Sequence, residues 1–327
     1  MQLTRRTMLV ALAAAPLALP AGGARAQDRA QDRLDVVATT GMIADAARQV
    51  GGDPVAVRAL MGPGVDPHAY RQTRSDIVAM AGADLVLWHG LYLEAQMEEI
   101  LHEMARKVPV VAVAESLPRE LLRSHDNYPD RHDPHIWMDP DLWARVIDTV
   151  RDALIRVAPG HETAFRANAA AHRAELARLA AYARRVLATV PAESRVLVTA
   201  HDAFGYFGAA YGFDVRGIQG ISTESEAGLQ RISELVDLLV ARNVRAVFVE
   251  SSVSDRNIRA LIEGAAARGH RVQIGGSLFS DAMGAAGTYE GTYIGMIDHN
   301  ATVIARALGG QAPDRGMADR LAQGPRT

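Results

Sequence analysis

The chain has 327 residues, with 35 Lys and Arg against 38 Asp and Glu and a formal net charge of −3. It carries no basic stripe with interleaved aromatics, which argues against nucleic acid as a partner. It contains no cysteine, so disulfides are excluded and any bound metal must be held by His, Asp or Glu.

The chain opens on Thr4-Arg5-Arg6-Thr7-Met8-Leu9, an apolar run to about Leu19, and Ala24-Arg25-Ala26. This order reads as a signal peptide over residues 1–26, with the mature chain starting at Gln27. The apolar run is too short to cross a bilayer, which needs about 20 residues. The paired arginines suggest the twin-arginine route. With no cysteine for a lipobox, the expectation is a periplasmic protein with no lipid anchor. Cleavage removes Arg5, Arg6 and Arg25 and no acidic residue, so the mature chain is more acidic than the whole. At roughly 300 residues it is long enough for two lobes, each with its own core.

Short β-rich apolar runs then alternate with helical patterns. Strands are predicted at 34–38, 55–60, 85–88 and 108–113, and again at 195–199, 213–218, 244–250 and 271–274. Helical spacing covers 73–81, 94–107, 229–242 and 255–268. Alternation of this kind predicts an α/β fold with mostly parallel sheets. Residues 159–190 break the rhythm: Ala, Leu, Arg and Glu dominate, no strand-like run interrupts them, and Pro191 marks the stop. One helix of about 30 residues, roughly 45 Å long, would suit a spine between lobes; two shorter helices are the alternative. The boundaries drawn are an N-terminal lobe at 27–158, a linking helix at 159–191, a C-terminal lobe at 192–308, and a tail at 309–327. The tail is rich in Gly, Pro, Asp and Arg and reads as loose.

Four metal-capable side chains sit in short polar segments close after strand-like runs, or in one case in a loop rich in Pro and Asp. His68 lies in Gly62-Pro63-Gly64-Val65-Asp66-Pro67-His68, and His135 in Asp133-Pro134-His135-Ile136-Trp137. His201 follows Leu197-Val198-Thr199-Ala200, and Asp281 follows Gly275-Gly276-Ser277-Leu278-Phe279-Ser280. Ligands of open parallel sheets collect outside the carboxyl ends of the strands. Two candidates fall in each half, so a cleft between lobes could be completed from both sides. Three imidazoles and one carboxylate would close the coordination of a borderline divalent cation. Each residue also has a plainer reading, as a solvated loop His or, for Asp281, a helix cap.

The stretches Asp66-Pro67-His68, Asp133-Pro134-His135-Ile136-Trp137-Met138-Asp139-Pro140, Thr199-Ala200-His201-Asp202-Ala203-Phe204-Gly205-Tyr206-Phe207 and Ser280-Asp281-Ala282-Met283-Gly284 resemble the manganese/zinc solute-binding proteins of bacterial ABC importers. Gln219-Gly220-Ile221-Ser222-Thr223-Glu224-Ser225-Glu226, Phe248-Val249-Glu250-Ser251-Ser252-Val253 and Gly291-Thr292-Tyr293-Ile294-Gly295-Met296 extend the resemblance over about 34–308. It implies two α/β lobes joined by one long helix, a metal buried between them, and ligand roles for His68, His135, His201 and Asp281. It also implies an ABC permease and its ATPase as partners, met peripherally at the membrane, with the binding protein monomeric. The cargo implied is Mn2+ or Zn2+, with Fe2+ as a further candidate.

Two departures bear on the metal. Zinc-specific members often carry a long His- and acid-rich loop before the second ligand; here only His125-Asp126-Asn127-Tyr128-Pro129-Asp130-Arg131-His132 stands there. Some manganese members place Glu where this chain has His201. His125 and His132 read as solvated loop residues, with a part in metal delivery as the alternative, and His89, near the expected cleft, reads as packing or as support behind a ligand. Because imidazoles bind only when neutral, affinity is expected to fall below about pH 6.5. Two other functions are compatible with the residues: a metal-dependent hydrolase using Glu224, Glu226 or Glu250 as base, and an exported metal-binding adhesin.

Overall fold

A computed structural model describes residues 33–125, 128–225 and 228–322. The signal segment 1–26 and Glu226 lie outside the described residues, as do the side chains of residues 125–130.

The first half is a four-stranded parallel sheet with its helices. β1 (Leu34–Ala38) leads into α1 (Gly41–Gly51), and β2 (Val55–Ala59) follows. Then come α2 (Arg74–Ala81), β3 (Leu85–Trp88), α3 (Glu98–Met104) and β4 (Val110–Ala112). The order is β2-β1-β3-β4, with Val36 opposite both Val57 and Leu85. Central β3 is buried along its whole length, as expected of a parallel strand covered on both faces. The turn from β1 into α1 is sharp because Thr40 caps the helix, its hydroxyl accepting from Ile43 N. Thr73 and Asp76 close a capping box on α2.

A hairpin of β5 (Ser124–His125) and β6 (Tyr128–His132) follows, antiparallel and irregular in register. The sequence reads this stretch as loop, because the strands are too short to show a two-residue alternation. Asp139 then caps α4 (Pro140–Val157), with Pro140 in the first turn, where its missing N–H costs nothing.

The Ala-rich stretch forms one helix, α5 (Glu162–Leu187), of 26 residues, or about 39 Å. Phe165, Ala169, His172, Leu176, Leu179, Ala183 and Val186 are buried along it, the three- and four-residue spacing of a single apolar stripe. α5 packs against α1 and α4 of the first half and against α9 of the second.

The second half runs β7 (Val196–Thr199), α6 (Gly205–Tyr211), β8 (Asp214–Gly217), α7 (Leu229–Ala241) and β9 (Ala246–Glu250). It ends with α8 (Arg256–Ala267), β10 (Gln273–Leu278) and α9 (Tyr293–Ala307). β7 pairs with β8 and β9 with β10, all parallel, and β7 lies beside β9. The sequence pattern ends the last strand at 274, but β10 continues through Gly275-Gly276 to Leu278. These glycines are required by proximity: a Cβ on Gly275 would meet the Phe248 ring at 2.9 Å, and one on Gly276 would meet Val303 at 2.5 Å. They let α9 settle on the strand.

Two further differences have local causes. The helix predicted at 94–107 shrinks to α3, because Glu94 is buried at its start. Its carboxylate there accepts from Thr39 Oγ1, His89 N and Gly90 N. The tail predicted to be loose is anchored through Ala322. Asp298 accepts from Met317 N, Glu290 accepts from Ala322 N, and Leu321 is buried.

Candidate metal centre

Four loops bring His68, His135, His201 and Asp281 to one point. One donor atom from each lies within 4.8 Å of the others, and all four residues are buried. His68 follows β2, His201 follows β7, Asp281 follows β10, and His135 opens the short 3-10 turn Ile136–Met138 before α4.

The loops are held locally in a repeated way. In Asp66-Pro67-His68 the Asp66 Oδ1 accepts from His68 N at 2.9 Å; in Asp133-Pro134-His135 the Asp133 Oδ1 accepts from His135 N at 3.0 Å. An Asp accepting two residues ahead closes a turn around the proline. At His135 the same carboxylate oxygen also meets ring atom Nδ1 at 2.7 Å. Glu250, at the end of β9, does both tasks for His201, accepting from its backbone N at 2.8 Å and meeting its Nδ1 at 2.5 Å.

Tautomers follow from this. A carboxylate only accepts, so Nδ1 of His135 and of His201 carries the hydrogen, and a neutral ring then presents an Nε2 lone pair. The His135 Nε2 lies 3.3 Å from the Nε2 of His68 and 3.3 Å from that of His201. Asp281 completes the figure, with Oδ1 at 3.4 Å from His135 Nε2 and Oδ2 at 3.2 Å from His201 Nε2. A tetrahedral ion with bonds of about 2.0–2.1 Å separates its donors by about 3.3–3.4 Å. The two Nε2–Nε2 contacts match that edge, while the Asp281 contacts are shared between its two oxygens. Once a metal displaces any Nε2 proton, these lone pairs converge on one point.

Electrostatics point the same way. Burial alone would lower His135, but the hydrogen bond with Asp133 and the nearby Asp281 carboxylate outweigh it and raise its pKa to about 9. His201 is likewise lowered by burial yet raised overall by Asp281 and Glu250. His68 lacks a carboxylate on its ring; burial dominates, lowering it to about 3. Burial would raise Asp281, but His201 and His135 hold its carboxyl well below the usual range. Asp281 Oδ1 is buried without a hydrogen-bond partner, an oxygen available to an ion.

Neighbouring residues take other parts. His89 Nε2 donates to Pro134 O at 2.6 Å, and its ring stacks on Trp143 and meets Trp137 edge-on, which buttresses the loop of His135. Trp137 Nε1 donates to Ser280 O at 2.8 Å, tying that loop to Asp281. Glu250, a candidate base on sequence, has both oxygens engaged with His201, and Glu224 sits at the surface against Gln96 Nε2. Sequence reasoning missed the supporting carboxylates Asp66, Asp133 and Glu250. The twofold Asp-Pro-His pattern was a usable signal for the first two.

Fold and centre together define a class: an α/β protein whose parallel strands converge on a closed site of three imidazoles and one carboxylate. The family model described as "ZnuA: Zinc-uptake complex component A periplasmic" matches residues 36–307, and the chain belongs to that family. The manganese-binding lipoprotein MntA of Bacillus subtilis is 45% identical over 93% of this chain and 99% of its own length. The zinc-binding protein TroA of Treponema pallidum is 46% identical over 86% of this chain and 91% of its own. The solved structure of TroA superposes with a TM-score of 0.82, covering 84% of this chain and 99% of that one. The iron-binding protein YfeA of Yersinia pestis is 31% identical over 85% and 87%.

One expectation is corrected by these relatives. The sequence reading placed the protein in the periplasm with no lipid anchor, on the strength of its missing cysteine. MntA, matching nearly end to end, is named a lipoprotein, which implies attachment to a membrane. The reading of an unanchored protein is withdrawn.

Proposed function

We propose that this chain is the solute-binding component of an ABC metal importer, capturing a divalent transition-metal ion with His68, His135, His201 and Asp281. The single observation that carries the reading is the convergence of one donor atom from each of these four buried residues within 4.8 Å of one another, a donor set suited to a borderline divalent ion. The three imidazoles bind through Nε2, and Asp281 reduces the charge of the buried ion. The ion is cargo, handed on to a permease and its ATPase at the membrane by a monomeric binding protein.

In this reading 27–158 and 192–308 are two lobes, and 159–191 is the spine between them. A packed spine favours small movements over wide hinge closure. The relatives' names span manganese, zinc and iron. At a generic site zinc outranks manganese, so coordination geometry must decide. Both Asp281 oxygens face the centre, which leaves a one-oxygen zinc-like site and a two-oxygen manganese-like site equally reachable.

The test is elemental analysis of the purified protein after competition among manganese, zinc and iron, with His68→Ala and Asp281→Ala alongside. One equivalent of a single metal in the wild type, lost in both variants, is expected. Full metal in both variants would refute the assigned site.

A further inference from the structure

The four proposed ligands are not fixed in the same way. The rings of His135 and His201 each meet a carboxylate at Nδ1, Asp133 at 2.7 Å and Glu250 at 2.5 Å. Asp281 is held through the backbone beside it instead. Asn300, on α9, accepts from Phe279 N at 2.9 Å and donates to Phe279 O at 2.7 Å. Trp137 Nε1 donates to Ser280 O at 2.8 Å. With that backbone held at three points, the freedom left to Asp281 is rotation of its carboxylate. The rotation decides whether one oxygen or two meets an ion.

The two oxygens differ in their surroundings. Oδ1 is buried without a hydrogen-bond partner. Oδ2 faces the hydroxyl of Ser252, just past β9, at 3.5 Å, and Ser252 Oγ lies 3.0 Å from Ser280 Oγ. A carboxylate only accepts, so the single hydrogen of Ser252 points at Oδ2 and a lone pair of Ser252 accepts from Ser280. The chain of donors therefore runs from Ser280 through Ser252 to Asp281. His201 Nε2 also lies 3.2 Å from Oδ2, and its proton bridges that gap in the metal-free protein. An ion bound at Nε2 takes the place of that proton. Ser252 is then the donor left to Oδ2 among the described residues.

We propose that Ser252 is a positioning residue for the choice of metal: by holding Oδ2 of Asp281 it leaves Oδ1 to bind alone, which favours four-coordinate zinc over manganese. This rests on the metal-capture reading above. Three imidazoles and one oxygen make the tetrahedron that zinc prefers, whereas manganese suits sites with more oxygen ligands. Without the hydroxyl, Oδ2 turns to the ion and the coordination number rises. Partners behind a ligand are known to orient it in this way. At 3.5 Å the tether lies at the outer edge of a hydroxyl's reach, so its loss changes the balance between metals and leaves the site in place.

The experiment measures Mn2+ and Zn2+ affinities by chelator competition, and the visible absorption of the Co2+ form, for wild type, Ser252→Ala and Ser252→Thr. In Ser252→Ala the ratio of Mn2+ to Zn2+ affinity is expected to rise about three- to tenfold, the size of one hydrogen bond. The Co2+ bands are expected to weaken with it, because four-coordinate Co2+ absorbs more strongly than five- or six-coordinate Co2+. Ser252→Thr keeps the hydroxyl and is expected to keep the wild-type ratio and bands. A merely structural role for Ser252 would weaken both metals alike and leave the Co2+ bands as they are. That outcome, an unchanged ratio in Ser252→Ala, or a threonine variant that behaves like the alanine one overturns the proposal. If Ser252→Ala does not fold, Ser280→Ala removes the donor behind Ser252 and must shift the ratio in the same direction, by less. Wild type taking up no Co2+, Mn2+ or Zn2+ would instead defeat the capture reading itself.

Discussion

The two sides of the centre are built differently. On one side His135 and His201 are fully buried, and each has a carboxylate on its outer ring nitrogen and on its own backbone N–H. On the other, His68 is held at its backbone by Asp66, whose second oxygen accepts from Thr223 Oγ1 at 2.5 Å across 157 residues of chain. The clamped pair is drawn toward the proton by its carboxylates, while burial keeps His68 neutral. Support by carboxylate makes an imidazole both better oriented and more basic. The clamped side thus holds the more basic imidazoles, and the His68 side borders a cavity open to the surface.

The sharpest way to break this comparison is to remove charge from the clamped side. Asp281→Ala leaves a buried cation without its only anionic ligand. Loss of one partner of a buried pair costs about 3–5 kcal/mol, which is two to four orders of magnitude in affinity. Calorimetric titration should show it. His68→Ala should lose less than His201→Ala, because only the latter strands a buried carboxylate, that of Glu250. Equal losses would erase the distinction between the sides.

Next in size is the carboxylate support. Glu250→Gln should weaken metal binding about 10- to 100-fold, the usual effect of losing a partner behind a metal-bound His. Asp66→Asn reaches His68 only at its backbone N–H and should cost less than tenfold. Competition against a chromogenic chelator would rank the two, and a larger loss in Asp66→Asn would reverse the assignment.

A smaller, graded effect is expected with pH. The metal must displace any proton on the ligating imidazoles. His135, raised to about 9, and His201, also raised, hold protons in the metal-free protein at neutral pH; His68, lowered to about 3, does not. Apparent affinity should therefore climb as pH rises from 6 toward 9. That is a higher window than the fall below about 6.5 expected from unperturbed imidazoles. Binding at neutral pH should release protons, measurable by calorimetry in buffers of different ionisation enthalpy. No proton release would sink the view that the carboxylates set the pair's basicity. Smallest is a helix-cap change on the first half: Thr40→Ala should cost about 1 kcal/mol of stability in thermal melting of the metal-free protein.

Much of the architecture was legible in the residues. The strands of both halves and the single long helix follow from period, propensity and turn chemistry, which act over a few residues, while the four ligand roles came mainly from the family resemblance. The misses are places where distant chain decides. Glu250 meets His201 from 49 residues away; the Gly275-Gly276 strand exists because Val303 and Phe248 crowd it; the tail is anchored by Asp298 and Glu290.

By itself, the order of residues determined an α/β fold with parallel strands, the absence of thiol ligands, and four metal-capable side chains whose ligand roles the family resemblance singled out. Local periodicity and ligand chemistry are written in neighbouring residues, and the Asp-Pro-His turns close within three of them. Only the tertiary structure decided the donor spacing of 3.2–3.4 Å, the unequal basicity of the three imidazoles, and the surface cavity that His68 borders. Distances and fields at a point depend on every segment that folds to it, and those segments here are separated by tens to hundreds of residues.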